Sequence, residues 1–199
     1  MLKSRIHPAW IVAGITFGTL FATAGFRSAP AVLILPLEED FGWRRDVISL
    51  AVAINVLLYG LTAPFAAALM DRFGIRRVVM GALTTIGTGA LCTIWMTKPW
   101  HLVALWGVVV GIGTGSMALV FAASVANRWF VKKKGLVIGI LTAATATGQL
   151  IFLPGLATLA TDYGWRRAAV AVASGAFIMV PLIFLFLKES PASIGLKPF

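Results

Sequence analysis

A chain of 199 residues with 59% apolar and only 12% charged side chains departs from soluble domains, where roughly 25% of residues are charged; an ordinary water-soluble globule is excluded. The formal net charge of +10 raises nucleic acid as a partner, but the basic residues sit at the ends of apolar runs rather than along one amphipathic face, so orientation in a bilayer explains them better. Cys92 is the single cysteine, and His7 and His101 have no carboxylate at ligand spacing, so the sequence offers no disulfide, metal centre or cofactor site.

The charges come in clumps separated by apolar stretches of about 20 residues, the length a helix needs to cross a bilayer. Continuous rather than alternating apolar sequence selects helices over barrel strands, which predicts an all-α membrane protein of six spans.

The first span is expected over 8–36 and contains Arg27, with Gly25 before it and Pro30 after it. An arginine at membrane depth costs roughly 2.5 to 3.5 kcal/mol on insertion scales and normally faces the bundle interior or a wet cavity. Gly25 and Pro30 favour local unwinding, as in the broken helices that carry transport sites, and a guanidinium there suits an anionic substrate group. Snorkelling to the interface is the bland alternative. No acid lies within the predicted spans to neutralise Arg27.

The second span, 47–70, carries Asn55, Tyr59 and Thr62 on one face at helical spacing. A polar stripe in a lipid-immersed helix must face protein or water, so these residues either line a cavity or join two helices. After the third span, 78–96, the fourth, 100–126, holds Gly107, Gly111 and Gly115 at every fourth position with Gly113 between them. No strand leads into this segment to make a nucleotide fingerprint, and small residues at this spacing let helix backbones approach closely. The fifth span, 135–160, has Thr142, Thr145 and Gln149 on one face. Threonines often satisfy their hydroxyls on their own helix, which leaves Gln149 as the cavity candidate. The sixth span is expected over 168–187, followed by a cytoplasmic linker segment over 188–199.

Lys3, Arg5, Arg72, Arg76, Arg77, Arg128, Lys132, Lys133, Lys134, Lys188 and Lys197 fall on one side of this arrangement. Arg44, Arg45, Lys98, Arg166 and Arg167 fall on the other, among Glu38, Glu39, Asp40, Asp46 and Asp162. The positive-inside rule then places both termini in the cytoplasm of a multi-pass protein of the cell membrane. Trp10, Trp43, Trp100, Trp129 and Trp165 lie near span ends, as an aromatic belt requires. Lys3 and Arg5 before an apolar run and Ala22, Thr23 and Ala24 imitate a signal peptide, but five more spans follow and argue against cleavage. Residues 40–45 (Asp40, Phe41, Gly42, Trp43, Arg44, Arg45) echo residues 162–167 (Asp162, Tyr163, Gly164, Trp165, Arg166, Arg167), each before an even-numbered span. The simplest reading is a glycine ending one helix and Trp and Arg anchoring the next. No nucleophile–base pair, Gly-x-Ser-x-Gly elbow or phosphate loop appears, so an enzyme is not expected.

Between the second and third spans, Asp71, Arg72, Phe73, Gly74, Ile75, Arg76 and Arg77 put four charges and a glycine into seven positions. This segment resembles the signature Gly-x-x-x-Asp-Arg-x-Gly-Arg-Arg/Lys of the major facilitator superfamily, with Asp71, Arg72, Gly74, Arg76 and Arg77 matching and Ala67 in place of the leading glycine. The resemblance implies part of a cytoplasmic gate, in which the acid meets a helix end of the other half and the arginines bridge helices. Phe41 to Arg45, then Arg128, Trp129 and Phe130 with Lys132 to Gly135, then Ser190, Pro191, Gly195 and Leu196 resemble the monocarboxylate-porter-like branch, whose members move small carboxylates, often by proton symport. Gly107 stands where many proton-coupled members carry an arginine, and the fifth span lacks the glycine-proline antiporter motif. These departures argue against a drug/proton antiporter.

The resemblance further implies twelve helices in two halves, of which this chain would be the N-terminal one, completed by a C-terminal six-helix half or by a second copy. The expectation is a secondary active transporter working by alternating access on a small organic anion such as a monocarboxylate. Arg27, Asn55, Tyr59 and Gln149 would contact substrate, and no cofactor, metal or nucleic acid is expected. A non-transporting receptor of the same fold, or an inactive fragment, is the alternative.

Overall fold

The computed structural model describes residues 7–117 and 119–199, so Lys3 and Arg5 lie outside the described residues. Six long apolar helices run Pro8–Phe41, Arg45–Phe73, Ile75–Trp95, Pro99–Trp129, Lys134–Tyr163 and Trp165–Phe186; they are referred to here as the first to sixth spans.

The first span begins where the His7 imidazole Nδ1 accepts the Ala9 amide at 3.3 Å, with Pro8 in the first turn. It stays helical through Gly25, Pro30 and Pro36 and takes in Glu38, Glu39 and Asp40 before Gly42, at φ +64°, ends it. The expected unwinding around Gly25 is therefore absent. That glycine instead makes room for the Phe152 ring of the fifth span, 3.5 Å from where its Cβ would stand. Close crossing continues at Gly148, whose Cβ would meet the Phe21 carbonyl at 2.8 Å, and the Ser28 hydroxyl donates to the Gln149 carbonyl at 3.2 Å. Thr16, Thr19 and Thr23 are buried, and each returns its hydroxyl to a carbonyl of its own helix.

The first span packs chiefly on the fifth, the third on the sixth, and the second on the fourth. Small residues allow all three approaches. Between the third and sixth spans, for example, a Cβ on Gly87 would lie 2.9 Å from the Phe177 ring.

The fourth span is not the single α-helix its composition predicts. A short α-helix, Pro99–Leu102, opens into π-helix over Val103–Val110, returns to α-helix over Gly111–Gly115, turns at Ser116 and Met117, and resumes at Leu119–Trp129. Glycines at 107, 111, 113 and 115 weaken the regular ladder, and contact with the neighbouring spans sets the path instead.

The aromatic belt is partly overturned. Trp100 is exposed, but Trp129 and Trp165 are only 0% and 3% exposed, because they pack into the bundle rather than facing lipid.

Candidate functional site

Arg27 projects from the first span toward the second, where its guanidinium carbon stands 4.3 Å from the centre of the Tyr59 ring. The contact is a cation–π pair of about 0.5 to 2 kcal/mol, depending on how dry the site becomes. Around it Pro30, Ala31 and Ile34 of the first span and Val52, Asn55 and Val56 of the second enclose an open cavity of about 290 Å³. No carboxylate among the described residues is in ion-pair range of Arg27. The site thus offers one unneutralised cation, one amide and an apolar wall.

Asn55 serves both roles that its polar stripe left open. It lines the cavity and donates from Nδ2 to the Trp106 carbonyl, 2.7 Å away in the π-helical turns of the fourth span. One amide proton is so committed, and the side-chain oxygen and second proton remain for a ligand.

The glycine ridge sets the depth of this arrangement. A Cβ on Gly107 would fall 3.1 Å from the Ala51 carbonyl, on Gly111 3.1 Å from the Asn55 Cα, and on Gly115 2.7 Å from the Tyr59 carbonyl. Three glycines four apart thereby sit against three second-span residues four apart, backbone to backbone. Gly113 faces the other way, toward Ile86 and Ala82 of the third span.

Beside the main cavity, and sharing Arg27 and Tyr59 with it, Leu20, Thr23, Thr114, Met117 and Thr145 border a pocket of only about 20 Å³. Thr145 thus reaches the vicinity of Arg27, whereas Gln149 lines neither space and contributes its backbone carbonyl to Ser28. Thr62 packs near Gly115.

The Asp71 segment stands at the opposite end of the second span from Asp46. Arg128, at the end of the fourth span, donates from Nη2 to Asp71 Oδ1 at 2.8 Å and to the Met70 carbonyl at 2.9 Å. Glu189 supplies what no sequence pattern marked: its carboxylate accepts the backbone N–H groups of Ile75 and Arg76 at 2.7 and 3.2 Å, capping the third span as an anion caps a helix N-terminus. Gly74, at φ +91°, makes the turn between spans. The Arg76 guanidinium lies 4.2 Å over the Phe184 ring, and Arg72 lies 5.3 Å over Phe73. Arg77 is exposed. Arg128 was legible as a basic loop residue in the Arg128, Trp129 and Phe130 match, without its partner, and Glu189 carried no sequence signal.

At the other membrane face Asp40 accepts the Trp165 indole N–H at 2.8 Å and Arg166 Nη1 at 3.1 Å. Arg45 makes a two-pronged contact with Glu38, at 2.7 and 2.8 Å. The two echoing segments therefore interlock, one supplying the acid and the other the indole and guanidinium.

Comparison with known proteins agrees with this architecture. The family model described as the Major Facilitator Superfamily matches residues 15–199. The uncharacterized MFS-type transporter YcxA of Bacillus subtilis is 27% identical over 191 residues, covering 96% of this chain and 47% of that protein. Human monocarboxylate transporter 7 is 24% identical over 163 residues, covering 82% and 31%. The structure of the proton:xylose symporter XylE bound to 6-bromo-6-deoxy-D-glucose superposes with a TM-score of 0.75 at 15% identity, over 94% of this chain and 47% of that one; this likeness is one of fold. The chain spans about half the length, or less, of the relatives it matches.

Proposed function

This chain belongs to the Major Facilitator Superfamily, and from that membership we propose that it is one half of a secondary active transporter that binds a small organic anion at Arg27 and carries it by alternating access. The observation that carries the reading is the Arg27 guanidinium, held on the Tyr59 ring at 4.3 Å in a cavity of about 290 Å³ with no carboxylate partner among the described residues. An unpaired cation at membrane depth is stable only with a counter-charge or water. A monocarboxylate suits the space: its carboxylate accepts from Arg27 and Asn55, and its short apolar body lies along Ala31, Ile34, Val52 and Val56. The monocarboxylate transporters among the relatives agree with that substrate class.

The second and fifth spans support the half-transporter reading. Only 11% and 22% of their apolar windows are buried, against 56% and 59% for the first and fourth. Leu57, Leu61, Phe65 and Leu69 form one exposed stripe at four-residue spacing, suited to a second six-helix half or a second copy. In this proposal the basic face is cytoplasmic, Asp71, Arg72, Gly74, Arg76 and Arg77 with Arg128 and Glu189 form its gate, and the chemistry is transport, not catalysis. Symport with a proton is the coupling that the resemblance to the monocarboxylate-porter-like branch implies.

The test is counterflow of labelled lactate or pyruvate into vesicles holding the complete transporter. Arg27→Ala is expected to abolish counterflow while membrane insertion is unchanged. Undiminished counterflow would remove Arg27 from the site, and saturable binding without counterflow in the parent protein would point to a receptor instead.

A further inference from the structure

We propose that the basic face of the bundle carries a binding site for an anionic phospholipid headgroup, in the pocket bounded by Arg72, Arg76, Arg77, Arg128, Phe184 and Glu189.

The charges there do not cancel. Four guanidiniums meet two carboxylates, and both carboxylates are engaged: Asp71 with Arg128 at 2.8 Å, Glu189 with the Ile75 and Arg76 backbone amides at 2.7 and 3.2 Å. Among the described residues no carboxylate is within ion-pair range of the Arg72, Arg76 or Arg77 side chains. The space between them is about 920 Å³ and open to the outside, larger than a bare phosphate needs. Its walls are mixed. Met80, Phe73 and Phe184 supply apolar surface beside the arginines, and Phe184, Leu185 and Phe186 at the end of the sixth span are all exposed.

A ligand that satisfies both features has a phosphate at the level of the arginines and hydrocarbon running down the outside of the third and sixth spans. Arginine favours phosphate through paired N–H donors, and basic pockets at helix ends of the inner face suit anionic lipid heads. The Phe184 ring under Arg76, at 4.2 Å, holds that guanidinium at the boundary between the two environments. The site is separate from the Arg27 cavity and does not depend on what that cavity carries.

Native mass spectrometry of the purified protein in a neutral detergent tests the assignment. Three additions are compared: phosphatidylglycerol, phosphatidylcholine of the same acyl chains, and inorganic phosphate. Phosphatidylglycerol is expected to remain bound at collision energies that strip phosphatidylcholine, and millimolar phosphate is expected not to displace it. Arg72→Gln with Arg77→Gln should weaken its retention by about fivefold per charge removed, whereas Lys at both positions should restore the part due to charge but not the part due to paired donors. Arg77→Gln alone, at an exposed side chain, gives the same reading should the double variant fail to fold. Arg44→Gln, on the opposite face, should change nothing. Equal retention of the two lipids, displacement by free phosphate, an unaltered Arg77→Gln variant or an equal loss in Arg44→Gln would each overturn the proposal.

Discussion

A Cβ built on Gly74 would lie 2.5 Å from Oε1 of Glu189, so the turn between the second and third spans and the end of the sixth occupy the same small volume. Residue 74 is constrained twice over, by a backbone at φ +91° that L side chains rarely adopt and by a carboxylate filling the place of its missing side chain. Gly74→Ala is expected to destabilise the protein by about 2 to 4 kcal/mol, from the strain of a positive-φ backbone that is essentially glycine-only and from the displaced cap together. Thermal unfolding in detergent checks this. Gly164→Ala has a similar φ of +87° but nothing within 4 Å, so it should show the strain without the collision.

Glu189→Ala removes the partner of two amide groups at the start of the third span. The expected loss is about 1 kcal/mol, the usual effect of deleting a helix cap. Hydrogen exchange should then rise at Ile75 and Arg76 before it rises elsewhere, and uniform protection across the third span would show that the cap is dispensable.

Arg128 and Asp71 are unequal partners. Asp71 has a side chain 79% exposed, against 25% for Arg128, and an exposed ion pair contributes only about 0 to 1 kcal/mol. Arg128 also holds the Met70 carbonyl. Arg128→Met is therefore expected to lower stability more than Asp71→Asn, with a coupling in the double mutant below about 1 kcal/mol. A double-mutant cycle on unfolding midpoints measures it.

Two glycines separate packing from propensity. Gly115→Ala pushes a methyl group to 2.7 Å from the Tyr59 carbonyl, and overpacking of this kind costs about 1 to 3 kcal/mol. Gly60→Ala, with nothing within 4 Å, should be neutral or stabilising by up to about 1 kcal/mol because alanine favours helix. Unfolding midpoints of the two variants should move in opposite directions or differ clearly in size.

Tyr59 is expected to support anion binding through its ring rather than its hydroxyl. Tyr59→Phe should leave the half-saturating concentration of lactate nearly unchanged, and Tyr59→Leu should raise it by about 3- to 30-fold, the equivalent of the lost cation–π contact. Equal effects in the two variants would assign the role to the hydroxyl.

Sequence alone exposes the six apolar runs because bilayer thickness imposes a length that composition reveals. It also marks Gly42 and Gly164 as glycines that end helices, and Gly74 through the signature it matches; all three have positive φ. Arg27, Asn55 and Tyr59 were legible as polar groups in apolar surroundings. The π-helical stretch at Val103–Val110 was not, because an unbroken apolar run reads alike for either helix. Nor was Glu189, which meets Ile75 across 114 positions of chain, a distance over which no local pattern speaks.

The echo of residues 40–45 in 162–167 misleads in a more specific way. Gly42 has φ 64° and ψ 20°, whereas Gly164 has φ 87° and ψ 151°, close to Gly74 at φ 91° and ψ 150°. By backbone, the turn before the sixth span is the counterpart of the turn before the third, where aromatic–glycine–apolar–Arg–Arg recurs as residues 73–77 and 163–167. Such pairing is what an inverted three-helix repeat produces.

The glycine ridge of the fourth span also separates positions that fix the helix packing from positions that only shape the cavity. Ala51, Asn55 and Tyr59 present their backbones to Gly107, Gly111 and Gly115 with no side chain between, so a bulkier residue anywhere along that seam pushes two helices apart. Ala31, Ile34, Val52 and Val56 line the cavity without belonging to the seam. Substitutions that reshape the cavity are therefore least disruptive to the helix packing at these four positions.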